Sequence, residues 1–202
     1  MKTLSEQFGH PRGVLGWVVG HVMASKNVAR SRWALTLLAP EPGEAVLEIG
    51  YGSGADIRRL LSAVGERGRV AGVDPSREMR RQARARNRAA VASGSAWLEL
   101  GSAHALPFAD AAFDAVFSIN SAQFWPDLEH GASEVARVLA PTGRALLVVQ
   151  PMWRGAGAAD TEQWRERLCR AVTRSGLAVE RTERAEFRPA PAAAVAVLAR
   201  RR

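Results

Sequence analysis

The stretch Val46-Leu47-Glu48-Ile49-Gly50-Tyr51-Gly52-Ser53-Gly54-Ala55-Asp56-Ile57 decides the fold. Residues 46–49 are a short β-prone run that feeds a glycine-rich turn. The turn opens into a helical pattern with Ile57, Leu60, Leu61 and Val64 on one face. Strand, glycine turn and helix in this order offer a ligand the unpaired N–H groups and positive dipole end of a helix N-terminus. Gly50, Gly52 and Gly54 let the backbone turn tightly and come close to that ligand with no Cβ between them.

Downstream of this unit, residues 69–74 form a second strand that ends in Asp74. Pro75 breaks it, and Ser76 is placed as the N-cap of an arginine-rich helix. At the tip of the neighbouring parallel strand, the Asp74 carboxylate suits the two hydroxyls of a ribose lying across the strand ends. Residues 97–100 make a third strand, and residues 113–119 a fourth that is almost continuously apolar, as a strand covered on both faces should be. The fourth strand ends in the polar and aromatic mouth Asn120-Ser121-Ala122-Gln123-Phe124-Trp125. Leu128, Val135, Val138 and Leu139 mark the next helix, Pro141-Thr142-Gly143 its stop, and residues 144–150 a fifth strand. Asp160-Thr161-Glu162-Gln163 resembles a capping box opening a helix that carries Trp164, Leu168 and Val172 on one face, with Gly176 as its left-handed terminator. Residues 177–187 alternate, Pro189 and Pro191 mark a turn, and residues 193–199 follow as a partner strand.

Upstream, residues 1–40 carry helical stripes at Val14, Leu15, Val18, Val19, Val22 and Met23, then at Trp33, Ala34, Leu37 and Leu38. The loop-like segment 8–13 is a candidate lid, or the region simply covers the sheet. The predicted fold is α/β: a doubly wound, mostly parallel seven-stranded Rossmann-like sheet with an antiparallel C-terminal hairpin and a helical N-terminal cap. Residues 1–40 form the cap or lid and residues 41–202 the ligand-binding domain.

A chain of 202 residues is long enough for one real core, burying roughly 70% of its unfolded surface. Its net charge of +8 is mostly arginine, densest over residues 77–88. Such a helix can be a footprint for a polyanion, but no aromatics are interleaved for base stacking, so a solvated face is preferred. The lone Cys169 excludes an internal disulfide and a cysteine-based zinc site. No run reaches the roughly 20 apolar residues of a membrane helix, and the N-terminus lacks the pattern of a secretory signal. A cytoplasmic protein without a bound metal is expected, either monomer or homodimer.

Gly50-x-Gly52-x-x-Ala55 also fits the dinucleotide fingerprint. Glu48 argues against it, because a carboxylate inside the strand would repel a pyrophosphate but not a ligand carrying an amino group and a sulfonium. The third glycine at 54 and the segments 101–108 and 113–125 point the same way.

Taken together, residues 46–54, Val73-Asp74-Pro75-Ser76, 101–108, Phe113-Asp114 and Arg137-Val138-Leu139-Ala140-Pro141-Thr142-Gly143-Arg144 resemble the class I S-adenosylmethionine-dependent methyltransferases. The small bacterial branch related to quinone-ring methyltransferases looks most similar. The leading segment from Gln7 through Asn27 and Trp33 resembles uncharacterised bacterial members. The resemblance implies S-adenosylmethionine as cofactor. Gly50, Gly52 and Gly54 would then lie along its methionine and ribose, with Glu48 organising the turn. Asp74 would take the ribose hydroxyls, and Pro75 would lie against the adenine. Ser102, Ala103 and His104 would meet the adenine edge, and Asn120 the amino group and sulfur. The family usually has Asp where Ser102 stands, and Pro-Gly-Gly where Pro141-Thr142-Gly143 stands.

Methyl transfer from a sulfonium is an in-line displacement needing alignment and a dry pocket rather than a covalent nucleophile. Of the histidines 10, 21, 104 and 130, His10 is the favoured base candidate because its loop could close, and Asn120 and Gln123 are further weak catalytic candidates; no base is assigned. The fourth strand lacks the Asn/Asp-Pro-Pro-Tyr/Phe clamp of many nucleobase-amine methyltransferases. Phe8, Met23, Asn27, Trp33, Gln123, Trp125, Gln150, Met152 and Trp153 would wall an aromatic cleft for a small organic acceptor. The alternatives are an RNA methyltransferase, motivated by the charge, or a non-catalytic cofactor-binding partner protein.

Overall fold

The computed structural model describes residues 28–188 and 190–201. The stripe at 14–23, the segment 8–13 and the residues Phe8, His10, His21, Met23 and Asn27 lie outside the described residues, as does Pro189. In chain order the elements are α1 (Val28–Leu38), β1 (Ala45–Ile49), α2 (Ala55–Val64), β2 (Arg69–Asp74), α3 (Arg77–Arg86), α4 (Arg88–Ser93), β3 (Ala96–Leu100) and β4 (Phe113–Ile119). A 3-10 turn (Ala122–Phe124) then precedes α5 (Leu128–Val138), β5 (Leu139–Val149), α6 (Ala158–Arg174), β6 (Leu177–Ala185) and β7 (Ala194–Arg201).

The strands form one seven-stranded sheet of order β3-β2-β1-β4-β5-β7-β6. The first five are mutually parallel, and β7 runs antiparallel to both β5 and β6. Only β6 of the C-terminal pair lies at the edge, with β7 inside. The residues explain this division. Every residue from Ala194 to Ala199 is buried, as an interior strand requires, whereas β6 exposes Glu180, Arg181, Thr182 and Arg184 and so discourages further pairing.

Side chains alternate across β1 and split the core in two. Leu47 and Ile49 join Val135 and Val138 of α5 and Trp164, Leu168 and Val172 of α6. Val46, on the other face, joins Ala34 and Leu38 of α1, Ile57, Leu60 and Val64 of α2, and Ala83 of α3. Glu48 has the parity of Val46 and therefore points into this second, α1–α3 side.

Three local boundaries differ from the sequence expectation. The arginine-rich segment is two helices, because the Asn87 amide donates to the Ala83 and Gly54 carbonyls (each 2.9 Å) and ends the first. Ser76 does cap α3, its hydroxyl accepting from Met79 N. Helix α6 starts at Ala158 rather than after Asp160, with the Asp160 carboxylate accepting from Gly157 N at 2.8 Å. Thr161 is accordingly not a cap, and its hydroxyl instead donates to Ala193 O at 2.9 Å, pinning the start of β7. Finally, β5 begins at Leu139, its first residues separated from the main ladder by a bulge opposite Phe113 and Ala115.

Arg144 on β5 ties down the far end of α1. Its guanidinium donates to Leu38 O (2.6 Å), to Ala39 O (2.7 Å) and to both carboxylate oxygens of Glu44 (2.7 and 2.8 Å). Arg144→Met would strip donors from a largely buried carboxylate and two carbonyls, a loss expected to cost about 2–4 kcal/mol. A lowered urea midpoint with an unchanged m-value is the check, and Arg144→Lys should recover only part of the loss because it lacks the planar fork.

Candidate functional site

Reversal of strand order between β1 and β4 opens a crevice beyond their carboxyl ends, where ligands of doubly wound sheets bind. The glycine turn lies here, and its glycines do different work. At Gly50 (φ 81°) a Cβ would stand 2.2 Å from Ser121 Oγ, so the tip of β4 lies directly over the turn. At Gly54 (φ 73°) a Cβ would stand 2.7 Å from both Ala83 Cβ and Asn87 Nδ2, so this glycine seats α2 against α3. At Gly52 a Cβ would meet no described atom within 4 Å, and the backbone there faces open space. Tyr51 turns back into the fold, filling the space left by Gly72 and donating to Glu99 O at 3.0 Å.

Acids surround the turn. Asp74, 7% exposed, accepts from Gly52 N (3.0 Å) and Ser76 N (2.8 Å), and so bridges β2 to the glycine turn. Asp56, in the first turn of α2, accepts from Ser31 of α1 at 2.8 Å and from Arg59 at 2.6 Å. Glu48 is 4% exposed, and its Oε2 is buried with no hydrogen-bond partner among the described residues. Burial first, then Asp56, then Asp74, pushes its carboxyl well above the usual carboxylate range, with Arg59 opposing.

On the other side, Asn120 holds the left-handed conformation (φ 50°), uncommon outside glycine, at the tip of β4. Its Oδ1 accepts from Gln150 N at 2.7 Å, and its Nδ2 lies 3.9 Å from Met152 Sδ. Gln150 is fully enclosed. Its side-chain oxygen accepts from Arg30 of α1, and its amide nitrogen donates to Ala192 O (2.9 Å) and Phe187 O (3.3 Å). Gln150 is therefore a junction between α1, the β5 tip and the loop before β7. Arg30 is 3% exposed, and burial lowers its guanidinium to about 10 despite Asp56. Trp33 packs on the Phe187 ring, with centroids 5.5 Å apart.

Trp125 fills the space over Gly131 and donates to Ser121 Oγ at 3.2 Å. Phe124, Met152 and Trp153 remain exposed around the mouth, and Gln123 Oε1 is buried without a described partner. Beyond β3, Ala103 is buried, whereas Ser102 and Pro75 are exposed. His104 reaches the start of α5, its Nε2 lying 2.9 Å from the Asp127 carbonyl oxygen and 3.0 Å from the Asp127 N–H, and takes one of them according to tautomer. Ser31, Asp56, Arg30 and Ser121 had no role assigned from the sequence. Asp56 alone carried a signal, as an acid in the first turn of the helix that follows the glycines.

Residues 47–147 match the family described as methyltransferase domain. A protein from transposon TN4556 of Streptomyces fradiae is 38% identical over 65% of this chain and 37% of its own length. The uncharacterized methyltransferase YdaC of Bacillus subtilis is 27% identical over 73% of this chain and 78% of its own. Nocamycin O-methyltransferase of Saccharothrix syringae is 36% identical over 56% of this chain and 40% of its own. The chain thus spans well under half of the first and third of these relatives. Two solved structures share the fold. One is a putative methyltransferase from Haloferax volcanii in complex with the Trm112 activator (TM-score 0.74, 20% identity, 90% of this chain and 92% of that one). The other is geranyl diphosphate C-methyltransferase from Streptomyces coelicolor (TM-score 0.70, 17% identity, 86% and 79%). The chain belongs to the class I S-adenosylmethionine-dependent methyltransferases.

The raised Glu48 carboxyl has a consequence for stability. Above the unfolded-state value the native state holds a proton that the unfolded chain has lost. The Glu48 contribution is therefore fully present below that value and is lost as pH rises through the higher native one. Glu48→Gln should flatten this limb of the stability–pH curve and leave the ligand-free protein more stable than wild type above it. Urea unfolding across pH 4–8 reads this out, and parallel curves for the two proteins would contradict the assignment.

Proposed function

We propose that this protein transfers a methyl group from S-adenosylmethionine to a small organic acceptor by in-line displacement. The observation that carries the proposal is the glycine turn itself, open at Gly52 and flanked by Asp74 and the partnerless buried oxygen of Glu48. That orphaned carboxyl oxygen is out of place beside a pyrophosphate and suits a ligand bearing cationic groups. The donor set therefore fits the cofactor. Glu48, Gly50, Gly52 and Asp74 would hold it, Pro75, Ser102, Ala103 and His104 would meet its adenine, and Gly54 would act by fixing the angle of α2.

When bound, the cofactor supplies an electrophilic methyl carbon on sulfur. The chain supplies alignment. Asn120 is locked by Gln150 N, and its left-handed backbone fixes where its side chain stands at the head of β4. Ser121, pressed on Gly50, makes the same strand tip a rigid stop. Phe124, Met152 and Trp153 offer apolar and aromatic surface to an acceptor, and Gln123 Oε1 offers one acceptor of a hydrogen bond. The small-molecule acceptor is supported by this composition and by the relative named for O-methylation of nocamycin. No described side chain is poised as a general base, and an acceptor that ionises readily needs none.

Calorimetric titration with S-adenosylmethionine and S-adenosylhomocysteine tests the proposal. Binding of both is expected, and Asp74→Ala should weaken each by at least about tenfold, the loss of a charge-assisted contact. Gly52→Ala, strained at φ 51° but meeting no described atom within 4 Å, should leave the protein folded by circular dichroism while weakening binding. Absence of binding by the wild type would end the proposal.

A further inference from the structure

Resting on the cofactor assignment above, we infer that Glu48, Asp56 and Asp74 form a charge-selective subsite that favours a cationic sulfonium donor over its neutral thioether product. Asp56 is the member held in place by α1. The donor and its demethylated product share the same amino acid and nucleoside parts and differ by one methyl group and one positive charge. A site that distinguishes them by more than the methyl contact must do so through its field.

The field here is built from named groups. Facing Glu48 are Asp56 and Arg59 from α2 and Asp74 from β2, while the residue paired with it on β4 is Phe117, which carries no charge. From α1, Ser31 holds Asp56, and Arg30 senses the same carboxylate. Of the two acids acting on Glu48, Asp56 exerts the larger effect. Its oxygens are fixed, one by Ser31 at 2.8 Å and the other by Arg59 at 2.6 Å. The Glu48 oxygen with no described partner shows that these acids are not arranged to satisfy one another. Arg59 is committed to Asp56, so the buried Glu48 carboxyl keeps its proton until a further cation arrives. A sulfonium arriving nearby supplies it, and Glu48 then changes from carboxylic acid to carboxylate, its proton passing to the solvent. The thioether product brings the same ammonium group but one charge fewer, and draws out less of that proton.

The test uses the full chain and isothermal titration with S-adenosylmethionine and S-adenosylhomocysteine, each in two buffers of different ionisation enthalpy near neutral pH. Asp56→Asn should cut the donor-to-product affinity ratio by about threefold or more, whereas Arg59→Met should raise it. Ser31→Ala keeps the carboxylate and should lower the ratio in the same direction as Asp56→Asn, which preserves the test if the latter folds poorly. The wild type should release more protons with the donor than with the product, and Glu48→Gln should erase that difference. Parallel losses for both ligands in the Asp56 and Arg59 variants, or equal proton release, would overturn the inference while leaving the cofactor assignment intact. Failure of the wild type to bind either ligand would overturn both.

Discussion

The ends of β1 and β4 approach so closely that a methyl group on Gly50 would stand 2.2 Å from Ser121 Oγ. Much of the rest is arranged by that contact. It brings the head of β4 over the glycine turn, where Gly50 holds a positive φ and has no room for a side chain. Asn120 stands beside it, also in the left-handed region. Ser121 in turn receives Trp125 Nε1, and Trp125 closes over Gly131 at the start of α5. A single crossing of two strand tips thus fixes the turn, the adjoining Asn120 and the packing of the helix behind them.

Helix α1 has a comparable reach at the other side of the crevice. Consecutive residues point to separate tasks: Arg30 to the Gln150 junction, and Ser31 to Asp56 beside the glycine turn. Its far end is gripped by Arg144. The helix therefore works as a brace between the Gln150 junction at the tip of β5 and the acid-lined turn, in addition to covering apolar surface.

Legibility in the sequence followed from how local each signal was. The order of strands and helices, the Ser76 cap and the Gly176 terminator could be read because periodicity and capping are set within a few residues. The placement of β7 inside β6 was less evident, although the unbroken apolar run at 194–199 against the charge-rich β6 carried the information. The separate duties of Gly50, Gly52 and Gly54 could not be read, since the atoms that decide them belong to Ser121, Ala83 and Asn87. Arg30 and Gln150 are 120 positions apart, and no pattern along the chain links them. Trp33, Trp125 and Gln150 read as lining for a cleft. In the structure Trp33 packs on Phe187, Trp125 lies over Gly131 and Gln150 donates to the Ala192 carbonyl, contacts that the sequence pattern did not reveal.

The interior position of β7 bears on how this molecule comes into being. Among the seven strands it is the last to leave the ribosome, yet β5 and β6 meet only through it. Until residues 194–201 emerge, β5 has an exposed apolar border, and Gln150 and Thr161 lack the carbonyls they bind in the finished protein. β6 can join the sheet only with this late segment, and pairing of β7 with β5 is a long-range closure of the kind that is slow by nature. During that interval the border of β5 is the sheet's unpaired apolar edge.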